Sequence, residues 1–346
     1  MKKRLLTVAI ALFVGLLSVE ASGFARFERL TTNDGLSSLC VGPIYQDEFG
    51  MVWVATNDGL NRYNGRSISV YRPILGDSTS LYNNNIRAVC GNRNGKVWVI
   101  NKYALSEFDM ATEKFHTIRK KGVRTICCEN NTLWVAGFRQ IWRLDEQGTL
   151  QTFYELPQGV RVNAMRVLSD GRLALGTEAH GVIFIDSNRK ITSTLGGQNI
   201  SYIFEDSKHR MWFSTRYNGI YCYGQDASVV NYVATQDENS LPDNFVRSVC
   251  EDDLGHIWVG TFKGLCEINP ETRSVRRVDD EEGSLRSTSV WYTYCDANGL
   301  VWIGTYHGGV FIYNRELDRY KNYDIFGNIV EDNAATSGLA RRTRHW

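Results

Sequence analysis

Apolar residues recur two apart in short runs along most of this chain, and each run is broken by a polar turn containing Gly. The clearest unit is GHIWVGTFKGL at 255–265: a glycine turn, a Trp between apolar residues, a small residue with Thr, then a second turn closed by Gly264-Leu265. It returns as GMVWVATNDGL at 50–60, GKVWVINKYAL at 95–105, NTLWVAGFRQI at 131–141, GRLALGTEAHGV at 171–182, HRMWFSTRYNGI at 209–220 and GLVWIGTYHGGV at 299–310. With Trp53, Trp98, Trp134, Ala174, Trp212, Trp258 and Trp302 as one equivalent position, the steps are 45, 36, 40, 38, 46 and 44 residues. A blade of four short strands takes about 40–45 residues and cannot bury both faces alone, so seven such units predict a ring. Helical repeats would place apolar residues three and four apart. The pattern therefore predicts an all-β fold: a seven-bladed β-propeller with four-stranded antiparallel blades.

One repeat shows the strands. Val246–Cys250 is the inner strand, followed by the acidic turn Glu251-Asp252-Asp253-Leu254-Gly255, then Ile257–Thr261, Leu265–Ile268 and Ser274–Val278. Polar turns of two to five residues with Gly between such runs read as hairpins. A longer loop carries Ser-Leu five residues before the next inner strand, as Ser80-Leu81, Ser240-Leu241 and Ser284-Leu285, with Gly35-Leu36 in that place at the start. An aromatic recurring at one position in six units of seven is a packing residue between neighbouring blades, and Ala174 should leave its blade thinner. Closure has two solutions. Phe24–Leu30 reads as an outer strand that completes the last blade from the N-terminal side, and Arg319–Tyr323 competes for the place.

Before the repeats, Lys2, Lys3 and Arg4 precede an apolar run over 5–17 and then small residues, the layout of a secretory signal cleaved after Ala21 or Ala25. Its roughly 13 apolar residues fall short of the ~20 that cross a bilayer. The expected organisation is a signal peptide over 1–25, one propeller over 26–326 and a tail over 327–346, in an exported, periplasmic protein. A formal net charge of +1 with interspersed signs gives no electrostatic footprint for nucleic acid. Eight cysteines in an exported chain invite a disulfide framework. Cys90 and Cys250, however, lie eight residues before their Trp, where Tyr45, Phe204 and Tyr294 stand in other repeats, and Cys127 fits the same place. Positions open to Tyr and Phe are packing positions, so free, buried thiols are expected.

Catalytic patterns are missing from the sequence: the six histidines show no HExxH spacing, and there is no GxSxG, Walker or EF-hand loop. No catalytic residue, metal site or cofactor is assigned. Counting strand directions, the loops from second to third strand and from fourth to next first strand emerge on one face, and the acidic glycine turns on the other. The first face varies between repeats. It gathers Asn57, Asp58, Asn83, Asn84, Asn85, Arg139, Glu178, His180, Arg216, Tyr217, Asn244, Lys263, Trp291, Tyr306 and His307. Amides, a few charges and aromatic rings suit a hydroxyl-rich ligand, through hydrogen bonds and stacking on its apolar faces.

The inner strand ending in acidic residues, then G-x-hydrophobic-W-V-G-T, then G-L, then S-L and Asn, resembles the two-component regulator propeller repeat. FERLTTNDGLSS at 27–38 is similar to the start of the periplasmic sensor region of hybrid two-component systems of Bacteroidetes. The resemblance covers about residues 24–333. It implies a sensor of carbohydrate breakdown products in which two propellers precede a membrane helix and a histidine kinase, of which this chain holds one propeller and no kinase. Its expected ligand is an oligosaccharide, and a homodimer or a second propeller is the expected protein partner. After residue 327 the chain starts an eighth repeat whose Trp never arrives, as in a truncated or frameshifted copy. Two other functions are open on the same fold: a protein-interaction scaffold, and a lyase or hydrolase.

Overall fold

A computed structural model describes residues 27–315, apart from 93, 130, 280–284 and 286–287. The expected signal segment, the competing strand Arg319–Tyr323 and the eighth-repeat tail lie outside the described residues. Within them, seven four-stranded antiparallel sheets follow one another round a ring. The blade drawn from the sequence runs Val246–Glu251, Ile257–Thr261, Gly264–Asn269 and Ser274–Val278, within a residue or two of the expected strands. Helical structure is confined to a few residues, including one 3-10 turn at Thr32–Asp34, capped by the Thr31 side chain. The seventh blade is completed by the N-terminal strand: Phe27–Leu30 pairs antiparallel with Val310–Tyr313, from Phe27 opposite Tyr313 to Leu30 opposite Val310. Of the two closures the sequence left open, this is the one formed.

Each repeated Trp fills the seam toward the following blade. Trp53 packs among Ile86, Val97, Val99 and Phe108, Trp212 against Val249, Ile257 and Val259, and Trp302 against Val41, Val52 and Val54. Trp134 is the exception, only partly buried. Four of these indoles also donate to an aspartate six residues earlier: Trp53 to Asp47 Oδ2 at 2.7 Å, Trp212 to Asp206 at 2.9 Å, Trp258 to Asp252 at 2.9 Å and Trp302 to Asp296 at 2.8 Å. The other oxygen of Asp47 accepts the Phe49 and Met51 backbone N–H groups, so one carboxylate closes the turn and holds the Trp. The acidic glycine turn and the Trp are thus one device, since a buried indole N–H needs an acceptor.

Blade 4 shows the device removed as a whole. Ala174 has no N–H to donate, and the aspartate position holds buried Leu168. The seam there is not thin, contrary to the sequence expectation, because Phe184, directly opposite Ala174 on the third strand, fills it and meets Phe213. The bulk has moved one strand outward. Glycine before the Thr has a packing cause as well: a Cβ on Gly260 would stand 2.7 Å from Val290 of the next blade, and one on Gly304 2.7 Å from Val41. The recurring Leu36, Leu81, Leu241 and Leu285 are all buried in these seams. Ser240 closes its loop by accepting from Thr235 N–H at 3.0 Å, as Ser80 does from Ile74 N–H at 2.9 Å.

All eight cysteines are free thiols. Three are buried and five only partly so, a correction to the expectation of uniform burial: Cys90, Cys127, Cys128 and Cys295 pack against the seam clusters but also border the central channel. Burial pushes the Cys127 and Cys128 thiols up to about 12, and Cys295, hydrogen-bonded with Cys250 of the neighbouring blade, well above its usual range. Protonated thiols are poor nucleophiles. Titrating the unreduced protein with a thiol reagent should therefore give a slow, incomplete reaction when native and a count of eight when denatured; a denatured count near zero would overturn the free-thiol account, and six would indicate a Cys250–Cys295 bridge.

Candidate functional site

The loops of the variable face are fixed from two sides. At the end of the second strand, Thr56, Thr177, Thr215, Thr261 and Thr305 donate their hydroxyls to Gly59, Gly181, Gly219, Gly264 and Gly309 carbonyls at 2.8–2.9 Å. Four of these loops are then pinned to the loop entering their own blade: Glu178 N–H donates to Arg161 O at 3.0 Å, Arg216 N–H to Asn199 O at 2.9 Å, Phe262 N–H to Phe245 O at 2.9 Å and Tyr306 N–H to Ser289 O at 3.0 Å. The two loop families therefore do share a face, as strand direction requires. They form a rigid rim.

A second device aims side chains inward from that rim. In all seven blades the pairing of inner and second strands shifts register just after the first inner-strand residue. A β-bulge of this kind re-aims the extra residue, and its occupants include Arg87, Arg124, Asn163, Ser201, Arg247 and Trp291. Arg87, Asn163, Ser201 and Arg247 line the central channel, a space of about 920 Å³.

The candidate residues fall into three groups round the rim. In blades 1 and 2, Asp58 pairs with Arg72 at 2.9 Å and accepts from Asn84 Nδ2 at 3.1 Å, and Asn83 Oδ1 accepts from Asn85 N–H at 3.0 Å. Those groups serve the loops themselves; Asn57 lies beside them, exposed. In blades 3 and 4, Glu178 is held by Arg124 at 3.1 Å and Arg161 at 3.5 Å, with His180 and Arg139 on the same rim. Blades 5 to 7 bring the remaining residues together. Arg216, Tyr217 and Asn244 line a cleft of about 540 Å³, and Lys263 lies on the next hairpin. Asn244 is partly spent, since its Oδ1 accepts from Ala234 N–H at 2.8 Å. Beside the cleft, Trp291 stacks on Tyr306 with centroids 5.0 Å apart, and Tyr306 touches His307 at 3.9 Å. Trp291 and Tyr306 stay 36% and 40% exposed, open to a ligand.

Sequence reasoning missed the residues that join these parts. Arg247 lines both cleft and channel, its guanidinium 4.3 Å from the Phe245 ring, 5.4 Å from Phe262 and 5.1 Å from Trp291. Phe245 and Phe262 stack at 6.1 Å. Burial pushes the Arg247 guanidinium below its usual range, and the positive charge of Arg216 pushes the same way. Two signals could have found these groups: Arg after the first inner-strand residue in three blades (Arg87, Arg124, Arg247), and an aromatic four residues past the Trp in three blades (Phe138, Phe262, Tyr306), two of which carry both signals.

Asp252, His256 and Glu267, on the opposite turns and the third strand, offer donor atoms within 4.8 Å of one another. Arg315 donates to Asp252 at 2.5 Å and to Glu267 at 3.1 Å, and Arg276 donates to Glu267. The guanidinium groups stand where a cation would, so the cluster is an ion-pair network. Among the described residues no helix is long and apolar enough to cross a membrane.

Three stretches of this chain, 194–217, 240–263 and 284–307, match the model of the two component regulator propeller. They run from the end of blade 4 into blade 7 and carry the cleft. These parts of the chain are similar to two-component regulator propeller repeats, and they sit on a seven-bladed ring. A histidine kinase of Formosa agariphila is 43% identical over 65 residues, 19% of this chain and 5% of that protein. The extracellular domain of the hybrid two component system BT3049 from B. thetaiotaomicron superposes with a TM-score of 0.71 at 21% identity, over 84% of this chain and 42% of that one. Virginiamycin B lyase from Staphylococcus aureus superposes at 0.63 with 14% identity, over 84% of this chain and 98% of that one. At such identities the structural likenesses show the fold. The chain spans less than half the length of the two-component proteins that it matches.

Proposed function

We propose that this chain is the ligand-sensing propeller of an extracytoplasmic two-component sensor, and that its ligand is an oligosaccharide seated on the variable face over blades 5 to 7. The observation that carries this reading is the meeting there of an open aromatic pair, Trp291 and Tyr306, with the cleft of Arg216 and Tyr217. Flat rings take the apolar faces of sugar rings, while guanidinium and amide groups take their hydroxyls. The match to propeller repeats of two-component regulators and the histidine kinase relative support the sensing role, and the basic and apolar start of the sequence supports export into the periplasm. On this reading the propeller binds without turnover, and a histidine kinase does the signalling.

A thermal-shift screen of the chain without its first 25 residues against a glycan panel tests the proposal. Saturable stabilisation by a small group of related oligosaccharides, with the sugar recovered intact, is the expected result. Recovery of a protein partner with no glycan response would favour the scaffold, and product formation would favour the lyase or hydrolase.

A further inference from the structure

We infer that the ligand of the cleft between blades 5 and 7 carries a negative charge, a sugar carboxylate or sulfate, which Arg216 and Arg247 bind while Trp291 and Tyr306 stack on the ring. The inference rests on the sensing role proposed above and narrows it to acidic oligosaccharides.

Arginines of this protein commonly have a carboxylate. Arg62 holds Glu113, Arg72 holds Asp58, Arg210 holds Asp206 and Glu271, and Arg315 holds Asp252. Arg124, on the same bulge position as Arg247, donates to Val162 O at 2.8 Å, to Asn163 Oδ1 at 3.1 Å and to Glu178 at 3.1 Å. Arg247 departs from this pattern. Its Nε is buried with no hydrogen-bond partner, and its guanidinium is held by rings alone. Arg216 is held in the same way, 5.1 Å from Phe245 and 5.7 Å from Tyr217. Both therefore rest against Phe245, and their charges oppose each other. The nearby acid is Asp243, whose carboxylate accepts the Phe245 N–H at 2.8 Å and only partly offsets the two positive charges.

Two like charges held close on apolar rings, one with an unmet buried donor, cost stability unless an anion arrives. A carboxylate or sulfate accepts from such planar groups two bonds at a time, which a sugar hydroxyl does not. The cleft, at about 540 Å³, has the size of a small-ligand pocket. A neutral sugar could stack on Trp291 and Tyr306, but it would leave both guanidinium charges unmet.

Titration calorimetry with the chain without its first 25 residues should compare oligogalacturonides, glucuronate-containing disaccharides and sulfated disaccharides with neutral sugars of matched linkage. The acidic sugars should bind about tenfold or more tightly than their neutral counterparts, with affinity falling as salt rises. Arg247→Gln and Arg216→Gln should each remove about tenfold of that affinity; because Arg216 is exposed, its variant keeps the test open if Arg247→Gln lowers the melt. Equal binding of acidic and neutral sugars, or acidic binding unchanged in both variants, would overturn this inference and leave the sensing role standing. Failure of every sugar, acidic and neutral, would overturn both.

Discussion

Deleting Phe27–Leu30 should lower the melting temperature by about 10 °C or more. The strand closes the ring: its four residues pair in register with Val310–Tyr313, and Phe27 lies 6.1 Å from Phe311 and 5.6 Å from Tyr313. Arg29 donates from Nε to Gly308 O at 2.7 Å and covers the Phe311 ring, so it also anchors the loop that bears Tyr306 and His307. Losing two half-buried apolar side chains and the strand's ladder costs on the order of 5 kcal/mol, at about 1–2 kcal/mol per side chain and about 1 kcal/mol per hydrogen bond. For a domain of this size each kcal/mol moves the midpoint by about 2 °C. An unchanged melt by differential scanning calorimetry would move the latch to Arg319–Tyr323.

Trp53→Ala should be comparably damaging. The side chain is fully buried, stacks 5.9 Å from Tyr71, meets Phe108 at 5.0 Å and holds Asp47 Oδ2 at 2.7 Å. Truncating a buried Trp costs about 3–5 kcal/mol, and the buried Asp47 carboxylate loses one of its donors, which adds about 1–3 kcal/mol. Trp53→Phe keeps most of the packing and loses the hydrogen bond, so it should cost about a third as much or less. Urea unfolding of the two variants checks the order. Equal losses would mean that the hydrogen bond to Asp47, rather than the filled seam, carries the effect.

The same two devices explain what the chain shows before it folds. Blade number, strand order and the packing role of the Trp are legible because each is repeated: an indole stands at one position in six blades, and in four of them its aspartate stands six residues before it. Ala174 misleads because packing conserves volume rather than position, and Phe184, opposite it across the ladder, supplies what the second strand lacks. The variable face is legible for a topological reason, since antiparallel strands put alternate connections on the same side. Which of its residues meet is not. Asp58 and Glu178 look like free ligand groups, yet Arg72 and Arg124 take them from elsewhere in the fold. Arg247 escapes notice because a bulge breaks the two-residue alternation at its position and turns toward the channel mouth a side chain that the pattern assigns to a seam.

The central claim, a ligand site on the variable face over blades 5 to 7, is tested most directly by titrating one stabilising glycan into the wild-type chain and two double variants, Arg216→Ala with Tyr217→Ala and Tyr306→Ala with His307→Ala. Each pair stands on an exposed hairpin whose Thr-to-Gly lock, Thr215 to Gly219 or Thr305 to Gly309, is left intact. Both variants should keep the wild-type melt and bind about tenfold or more weakly; wild-type affinity in both would place the site off this face.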